Sequence, residues 1–269
     1  MIKTLSGHTN PVQALQLLDM STLASGSGDN LIIIWNITDG TQLRNLTGHT
    51  DDVRALELLS GGYLVSGGDD KTVIIWDYNA GSIQQKLTNH TDAILAIVSL
   101  ESGDFASGSA DHSIIIWDKY SYTVKYNLQG HTDSVNTLIY YCNDILISGS
   151  NDHTIRIWDT ITGMNIKTLT GHTSSVLSLE VLEDGDLVSG SNDNNIFIWD
   201  LSLVDSYKQN LTGHTQSVVA LKLLSNDCLG SGSIDNLFIV WNITTKSKIR
   251  QLNYNSPVRS LESIGKIYF

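Results

Sequence analysis

The chain has 269 residues, of which 41% are hydrophobic, and this is enough for a large domain with a sizeable buried core. Sixteen Lys and Arg residues against 28 Asp and Glu residues give a formal net charge of −12, which repels phosphate backbones and anionic lipid surfaces and argues against nucleic acid or a membrane as a partner. The longest apolar runs are about five residues, too short for a membrane-spanning helix.

The N-terminal residues lack the long apolar core of a secretory signal, and two cysteines cannot form a disulfide framework. We therefore expect a cytoplasmic location. Five Asn-x-Ser/Thr sequons leave glycosylation open as an alternative, but most of them fall at recurrent positions. We interpret them as products of sequence duplication.

The predicted elements begin with a strand over residues 2–5, which matches a polar segment that recurs later in the chain. Six full repeats follow over residues of about 7–252, and each is predicted to contain four strands. In the second repeat, residues 53–59 alternate apolar and polar side chains, residues 63–66 form a short buried run, and residues 72–76 are β-branched and aromatic. Residues 83–87 are more polar and are predicted to lie outermost. Gly, Asn, Asp and Ser separate these segments, which is typical of turns.

Four residue types recur in one register through these repeats. The tryptophans are spaced by 41 or 42 residues, with a His, a Ser and an Asp at constant distances before each of them. Four antiparallel strands per repeat of this length are typical of one β-propeller blade. The repeated residues are His8, Ser25, Asp29 and Trp35; His49, Ser66, Asp70 and Trp76; His90, Ser107, Asp111 and Trp117; His131, Ser148, Asp152 and Trp158; His172, Ser189, Asp193 and Trp199; and His214, Ser231, Asp235 and Trp241.

A partial seventh repeat is predicted over residues 254–269. Its segment from Val258 aligns with the first strand that begins at Val218, but it lacks the Gly-His pair and stops within the second strand. The sequence thus predicts six complete blades and an incomplete seventh one.

The order Gly-His, then Ser-Gly-Ser-x-Asp, then Trp-Asp or Trp-Asn resembles the WD-repeat β-propellers over nearly the whole chain. The resemblance implies an all-β fold, a single domain 1–269 built as a propeller of four-stranded antiparallel blades, seven in number with the last one incomplete. In this family the repeated His, Ser, Asp and Trp form a hydrogen-bonded chain, which here implies a structural role for all six sets. We expect burial of the tryptophans to matter more for stability than the hydrogen bonds.

The sequence lacks one strand that ring closure requires in this family. In the family, the N-terminal outer strand usually pairs with the third strand of the last blade, and this sequence contains no such third strand. We expect that the chain is a fragment of a longer propeller. The alternative is that another chain donates a strand, so that the protein self-associates through its incomplete blade.

Catalysis and metal binding are disfavoured. A Ser-His-Asp trio copied into every repeat indicates a recurring structural task rather than one activated nucleophile. The six repeat histidines lie one per blade and are not expected to converge on a metal ion, and we predict no cofactor.

Specificity is expected at the positions that differ between repeats. In the family, partners commonly dock around the central channel, on the loops entering the first strands and the turns between the second and third strands. The resemblance implies the following candidate partner-binding residues: Arg54, Leu95, Asn136, Asn151, Leu177, Asn192, Val219, Ile234 and Arg259.

Arg54 and Arg259 are the only basic residues in this set, and Asp52 and Asp69 flank Arg54, so the arginine cluster of a phosphopeptide reader is missing. The aliphatic members predict an apolar patch, with asparagines available for a peptide backbone. The alternative is that these residues only line a narrow channel.

We therefore predict a non-enzymatic protein-interaction scaffold or adaptor that binds an apolar or mixed peptide or protein at the channel mouth. The alternatives are a substrate-recognition subunit of a ubiquitin ligase and an enzyme that uses the central channel.

Overall fold

The computed structural model describes residues 4–201, 207–225 and 227–261. These residues form β-strands joined by turns, and they include no helix long and apolar enough to cross a membrane. The predicted all-β, propeller-type fold class is confirmed, because each repeat folds as one four-stranded antiparallel blade. The chain divides into two compact units, residues 1–130 and residues 131–269.

The first unit contains three blades, each with its strands in sequence order across the sheet. Its strands are β1 (Val12–Leu17), β2 (Thr22–Ser27), β3 (Leu31–Asn36), β4 (Gln42–Thr47), β5 (Val53–Leu58), β6 (Leu64–Gly68), β7 (Val73–Asp77), β8 (Ser82–Leu87), β9 (Ile94–Ser99), β10 (Phe105–Ser109), β11 (Ile114–Trp117) and β12 (Val124–Leu128).

The second unit also contains three blades of the same topology. Its strands are β13 (Val135–Tyr140), β14 (Ile145–Ser150), β15 (Ile155–Asp159), β16 (Asn165–Leu169), β17 (Val176–Val181), β18 (Leu187–Ser191), β19 (Ile196–Trp199), β20 (Tyr207–Leu211), β21 (Val218–Ser225), β22 (Cys228–Ser233), β23 (Leu237–Asn242) and β24 (Ser247–Asn253).

The burial of the strands follows their composition. All five residues of β6 are buried, as are four of the five in β7, where β-branched side chains cover both faces of the sheet. In contrast, β8 exposes five of its six side chains and lies at the edge of the sheet. The prediction that this polar segment is outermost is confirmed.

Neighbouring blades within a unit pack together at the glycine that follows the repeated serine. A Cβ added to Gly190 would lie 2.7 Å from Cγ1 of Val218, the first residue of the next blade, and Gly26 stands in the same relation to Val53. Gly67 and Ile94 repeat the arrangement. We call this contact the glycine seat, and it lets two sheets approach closely where any side chain would collide.

The number of blades differs from the prediction, since the described residues form six complete blades and no seventh sheet. Residues 254–261 contain no strand, although Val258 occupies the glycine seat of Gly232, and its N–H donates to the Ser233 carbonyl at 3.1 Å. The predicted second strand of this repeat lies in residues 262–269, outside the described residues. Of the predicted strand 2–5, residues 4 and 5 form no strand, and residues 2 and 3 also lie outside them.

Candidate functional site

The repeated polar residues form one connected network in each blade. In the second blade, Nδ1 of His49 lies 2.9 Å from Oδ2 of Asp70, and its Nε2 lies 2.7 Å from Oγ of Ser66. The indole Nε1–H of Trp76 donates to the same Oγ at 2.7 Å. The order is therefore Asp, His, Ser, Trp, with the imidazole between the carboxylate and the hydroxyl.

The donors and acceptors of this network are satisfied by a neutral imidazole. Since the indole donates to Oγ of Ser66, the hydroxyl hydrogen is available to His49 Nε2, and the proton on Nδ1 then points at Asp70. Every polar atom has a partner when the imidazole is neutral and the carboxylate is charged.

The other five blades repeat this geometry within 0.2 Å. The His Nδ1 to Asp distances lie between 2.8 and 3.0 Å, and the two bonds at each Ser Oγ are 2.7 or 2.8 Å long. The structure thus brings together the residues of all six predicted sets.

Each carboxylate also accepts backbone hydrogen bonds. Burial of Asp111 favours its neutral form, but bonds from the Ser113 hydroxyl, the Thr91 amide and His90 outweigh this and lower its pKa to about 2. Burial lowers the pKa of the His90 imidazole, although Asp111 acts in the opposite direction. The loop before the first strand, which carries the His, is thereby tied to the turn after the second strand, which carries the Asp.

The network cannot present a nucleophile to a substrate. Ser66, Ser107, Ser148, Ser189 and Ser231 have no exposed surface, because the indole and the imidazole cover each hydroxyl. The geometry resembles a hydrolytic triad, but an accessible hydroxyl and an oxyanion site are both required for acyl transfer. Among the described residues, no three His, Cys, Asp or Glu side chains form a group that could hold a metal ion.

The candidate binding positions lie at one end of each blade. The turn after the second strand hydrogen-bonds to the residue before the first strand, as in Asp69 N–H to Asp52 O at 2.9 Å and Asn192 N–H to Ser175 O at 2.9 Å. In each blade, this end carries both groups of variable positions next to one another. We call it the β2–β3 turn end, after the turn between the second and third strands of the first blade.

In the first unit, this end is polar around Arg54. The guanidinium donates to both carboxylate oxygens of Asp69, at 2.9 and 2.6 Å, and lies 3.5 Å from Asp52. These carboxylates raise the pKa of Arg54, although partial burial opposes the effect. Leu95, the other candidate in this unit, is half-buried. Arg54 is thus held in an ion pair rather than offered to an anion.

In the second unit, the asparagines are engaged by their neighbours. The Asn136 amide donates to Asn151 Oδ1 at 2.8 Å and to the Val176 carbonyl at 2.9 Å, so both of its hydrogens are used. Asn192 donates to Ser174 and accepts from the Ser217 hydroxyl. Adjacent groups of the fold therefore take both amide hydrogens of Asn136, which leaves its carbonyl oxygen as the group that a peptide backbone would use.

The aliphatic candidates of the second unit lie on adjoining blades. Leu177 follows the first residue of β17, and Val219 holds the same place in β21, which contacts β17. Ile234 follows β22 in the blade of Val219, and all three side chains are half-buried. Arg259 is exposed and follows Val258. Leu177, Val219 and Ile234 together define what we call the aliphatic patch.

Sequence reasoning missed a group of tyrosines at the opposite end of the blades. Tyr63, Tyr120 and Tyr122 line a groove in the first unit together with Lys119. Their signal in the sequence is the presence of aromatic residues at positions where the other repeats have none.

The comparison with known families gives one match. The family described as WD domain, G-beta repeat matches five consecutive segments, residues 1–36, 40–77, 81–118, 122–159 and 163–200. No curated protein was found to match the chain. The sixth repeat lies beyond the matched segments, yet it forms the same Asp, His, Ser and Trp network.

Proposed function

The chain belongs to the WD-repeat family, whose members are in general protein-interaction scaffolds, and on that premise we propose that it is a non-enzymatic adaptor that binds a partner peptide or protein at the β2–β3 turn end of its blades. The observation that carries the proposal is the aliphatic patch. The polar network is the same in every blade, whereas the patch combines aliphatic residues from two adjoining blades, and Leu95 is the aliphatic residue at the same position of the third blade.

The chemistry of this end favours an apolar or mixed segment as partner. Leu177, Val219 and Ile234 are half-buried and offer apolar surface, which a partner could cover further. Phosphate is disfavoured, because Asp69 and Asp52 already neutralise Arg54. A partner that contributes a Leu, Ile or aromatic anchor fits this surface better than a phosphorylated one.

Location and self-association are part of the proposal. Cys142 and Cys228 are free, which agrees with a reducing cytoplasm. Val258 packs on Gly232 as the first residue of a following blade does in the other glycine seats, which supports a further blade after the sixth one. A second copy of the chain could contribute a strand to that blade. A solution mass equal to one chain at micromolar concentration would count against self-association.

The test is quantitative affinity capture from lysate with two baits, the wild-type chain and a Leu177→Glu, Val219→Glu variant whose thermal unfolding is unchanged. The matched control is Ile161→Glu, Met164→Glu, which adds the same charge at two exposed side chains in another turn. A protein lost with the first variant and retained with the second would then be tested as a peptide by direct titration. Equal retention by all three baits would refute the proposed site.

A further inference from the structure

A second candidate site lies in the first unit, in a groove of about 420 Å³ between the second and third blades. The turn between β5 and β6 contributes Tyr63, and the turn between β11 and β12 contributes Lys119, Tyr120 and Tyr122. These turns lie at the end of each sheet opposite to the β2–β3 turn end. The groove is therefore separate from the aliphatic patch and independent of the function proposed for it.

Comparison with the other repeats shows that this groove is special to one pair of blades. Tyr63 stands 13 residues before its Trp, and the other repeats have no aromatic residue there: Thr22, Asp104, Ile145, Asp186 and Cys228. Tyr120 stands three residues after its Trp, at the position of Thr38, Asn79, Ile161, Ser202 and Thr244. Both tyrosines thus replace smaller or aliphatic side chains of the sister repeats.

Tyr122 is retained in a backbone conformation that suits glycine. Its φ is 55°, and the matching residues include Gly40, Gly81 and Gly163, with φ of 84°, 76° and 72°, and Lys246, with φ of 60°. An aromatic residue is strained in this region, because its Cβ lies close to the neighbouring carbonyl oxygen. Residues held in this region persist where the surrounding structure fixes them, and they are enriched at binding sites.

The tyrosines present ring faces and hydroxyls together. Tyr63 and Tyr122 are half-buried and pack on the apolar cluster around Phe105 and Trp117, whereas Tyr120 is 82% exposed. The Tyr122 hydroxyl is a hydrogen-bond donor at neutral pH, and burial and the nearby Tyr63 raise its pKa further. Flat apolar faces with a donor at the tip suit a segment of extended backbone with free carbonyls.

Lys119 places a positive charge on the lining of the groove. Its Nζ lies 4.9 Å from the centre of the Tyr120 ring and donates to the Ser102 carbonyl at 2.5 Å. Gly103 permits this placement, because a Cβ there would lie 2.8 Å from Cδ of Lys119. The ammonium lies against the ring of Tyr120, where it attracts a carboxylate, whereas the carboxylates of this turn are engaged by Lys125 and by backbone amides.

We propose that the three-tyrosine groove binds a proline-rich segment of a partner protein, with an acidic residue of that segment next to Lys119. Pyrrolidine rings stack on the tyrosine faces, and the carbonyls of a polyproline II helix, which make no internal hydrogen bonds, accept from the tyrosine hydroxyls. The two other grooves described at this end lack this combination. The lining of one includes Arg44 and a single tyrosine, Tyr78, and the lining of the other includes Lys246 and four carboxylates but no aromatic residue.

The test is titration of the whole chain with a fluorescein-labelled peptide of six prolines flanked by two aspartates, followed by fluorescence anisotropy. The variant is Tyr120→Asn, Tyr122→Gly, which copies the turn that the second repeat already has as Asn79 and Gly81 and so preserves folding. The matched control is Ile161→Asn, the same change at the same position of the fourth repeat.

We expect saturable binding to the wild type and the control, and affinity at least about tenfold lower for the double variant. A peptide with the prolines replaced by Gly and Ser should bind at least about tenfold more weakly than the proline peptide, and a lysine-flanked peptide should bind more weakly than the aspartate-flanked one. Absence of saturable binding to the wild type, equal binding to the double variant, or preference for the lysine-flanked peptide would overturn the proposal. These outcomes do not depend on the aliphatic patch.

Discussion

Arg54 and Asp69 form a bidentate ion pair, with Nε to Oδ1 at 2.9 Å and Nη2 to Oδ2 at 2.6 Å. Both side chains are partly exposed, so solvent screening limits what the pair contributes to stability. The planar guanidinium matches the carboxylate, and Arg54 is therefore fixed in orientation at the end of its blade.

We predict a coupling energy of about 1 kcal/mol between these residues. The measurement is a double-mutant cycle of Arg54→Gln and Asp69→Asn by urea denaturation. Additive effects of the two single changes would show that the pair contributes nothing measurable.

Burial of the indole should stabilise a blade more than any single hydrogen bond of its network. Trp76→Ala is expected to lower the free energy of unfolding by about 3–5 kcal/mol, because it leaves a large cavity. Ser66→Ala should cost about 1–3 kcal/mol, since it leaves the Trp76 N–H and His49 Nε2 without their partner. Urea denaturation of the two variants checks the order, and a larger cost for Ser66→Ala would contradict it.

Stability should fall in two stages as the pH is lowered. Burial lowers the folded-state pKa of His90 and His214 below the ordinary value of 6.5, so the unfolded chain binds protons first, and stability is lost as the pH falls below about 6.5. Asp111 has a pKa of about 2 against an ordinary 3.8, and its contribution is complete above about pH 4 and lost as the pH falls toward 2.

Both the histidines and Asp111 lower the free energy of unfolding as the pH falls, so this free energy should be highest near neutral pH. Urea midpoints measured from pH 8 to pH 3 check this prediction. A midpoint that stays constant between pH 8 and pH 5 would contradict the assignment to the histidines.

The contact between Gly232 and Val258 should behave like the glycine seats inside the array. A Cβ at Gly232 would lie 2.7 Å from both Cγ1 and the carbonyl oxygen of Val258. Gly232→Ala is therefore expected to cost about 1–3 kcal/mol, and adding Val258→Ala should recover part of the loss, because it removes the side-chain clash. Thermal unfolding of the single and double variants tests this, with no recovery as the contrary result.

The recurring residues allow the strands, the outermost position of the polar segment and the members of each network to be predicted from the sequence. Their regular spacing predicts these features because every blade repeats the same local geometry. The amide of Asn136 could not be assigned in this way, because one of its partners, the Val176 carbonyl, belongs to the neighbouring blade. The tyrosine groove was missed for the same reason, since Tyr63 and Tyr122 lie in turns of different sheets.

The glycine seat makes the joints between blades interchangeable. It accepts Val53, Val176 or Val218 and equally Ile94, so a joint requires only a glycine on one side and a β-branched residue on the other. A repeat that is duplicated or exchanged therefore meets a compatible neighbour without a compensating change. Because these buried contacts hold neighbouring blades together, the sequences of the turns at both ends of a blade can change without loss of blade packing. A repeat array can therefore acquire new binding surfaces one blade at a time.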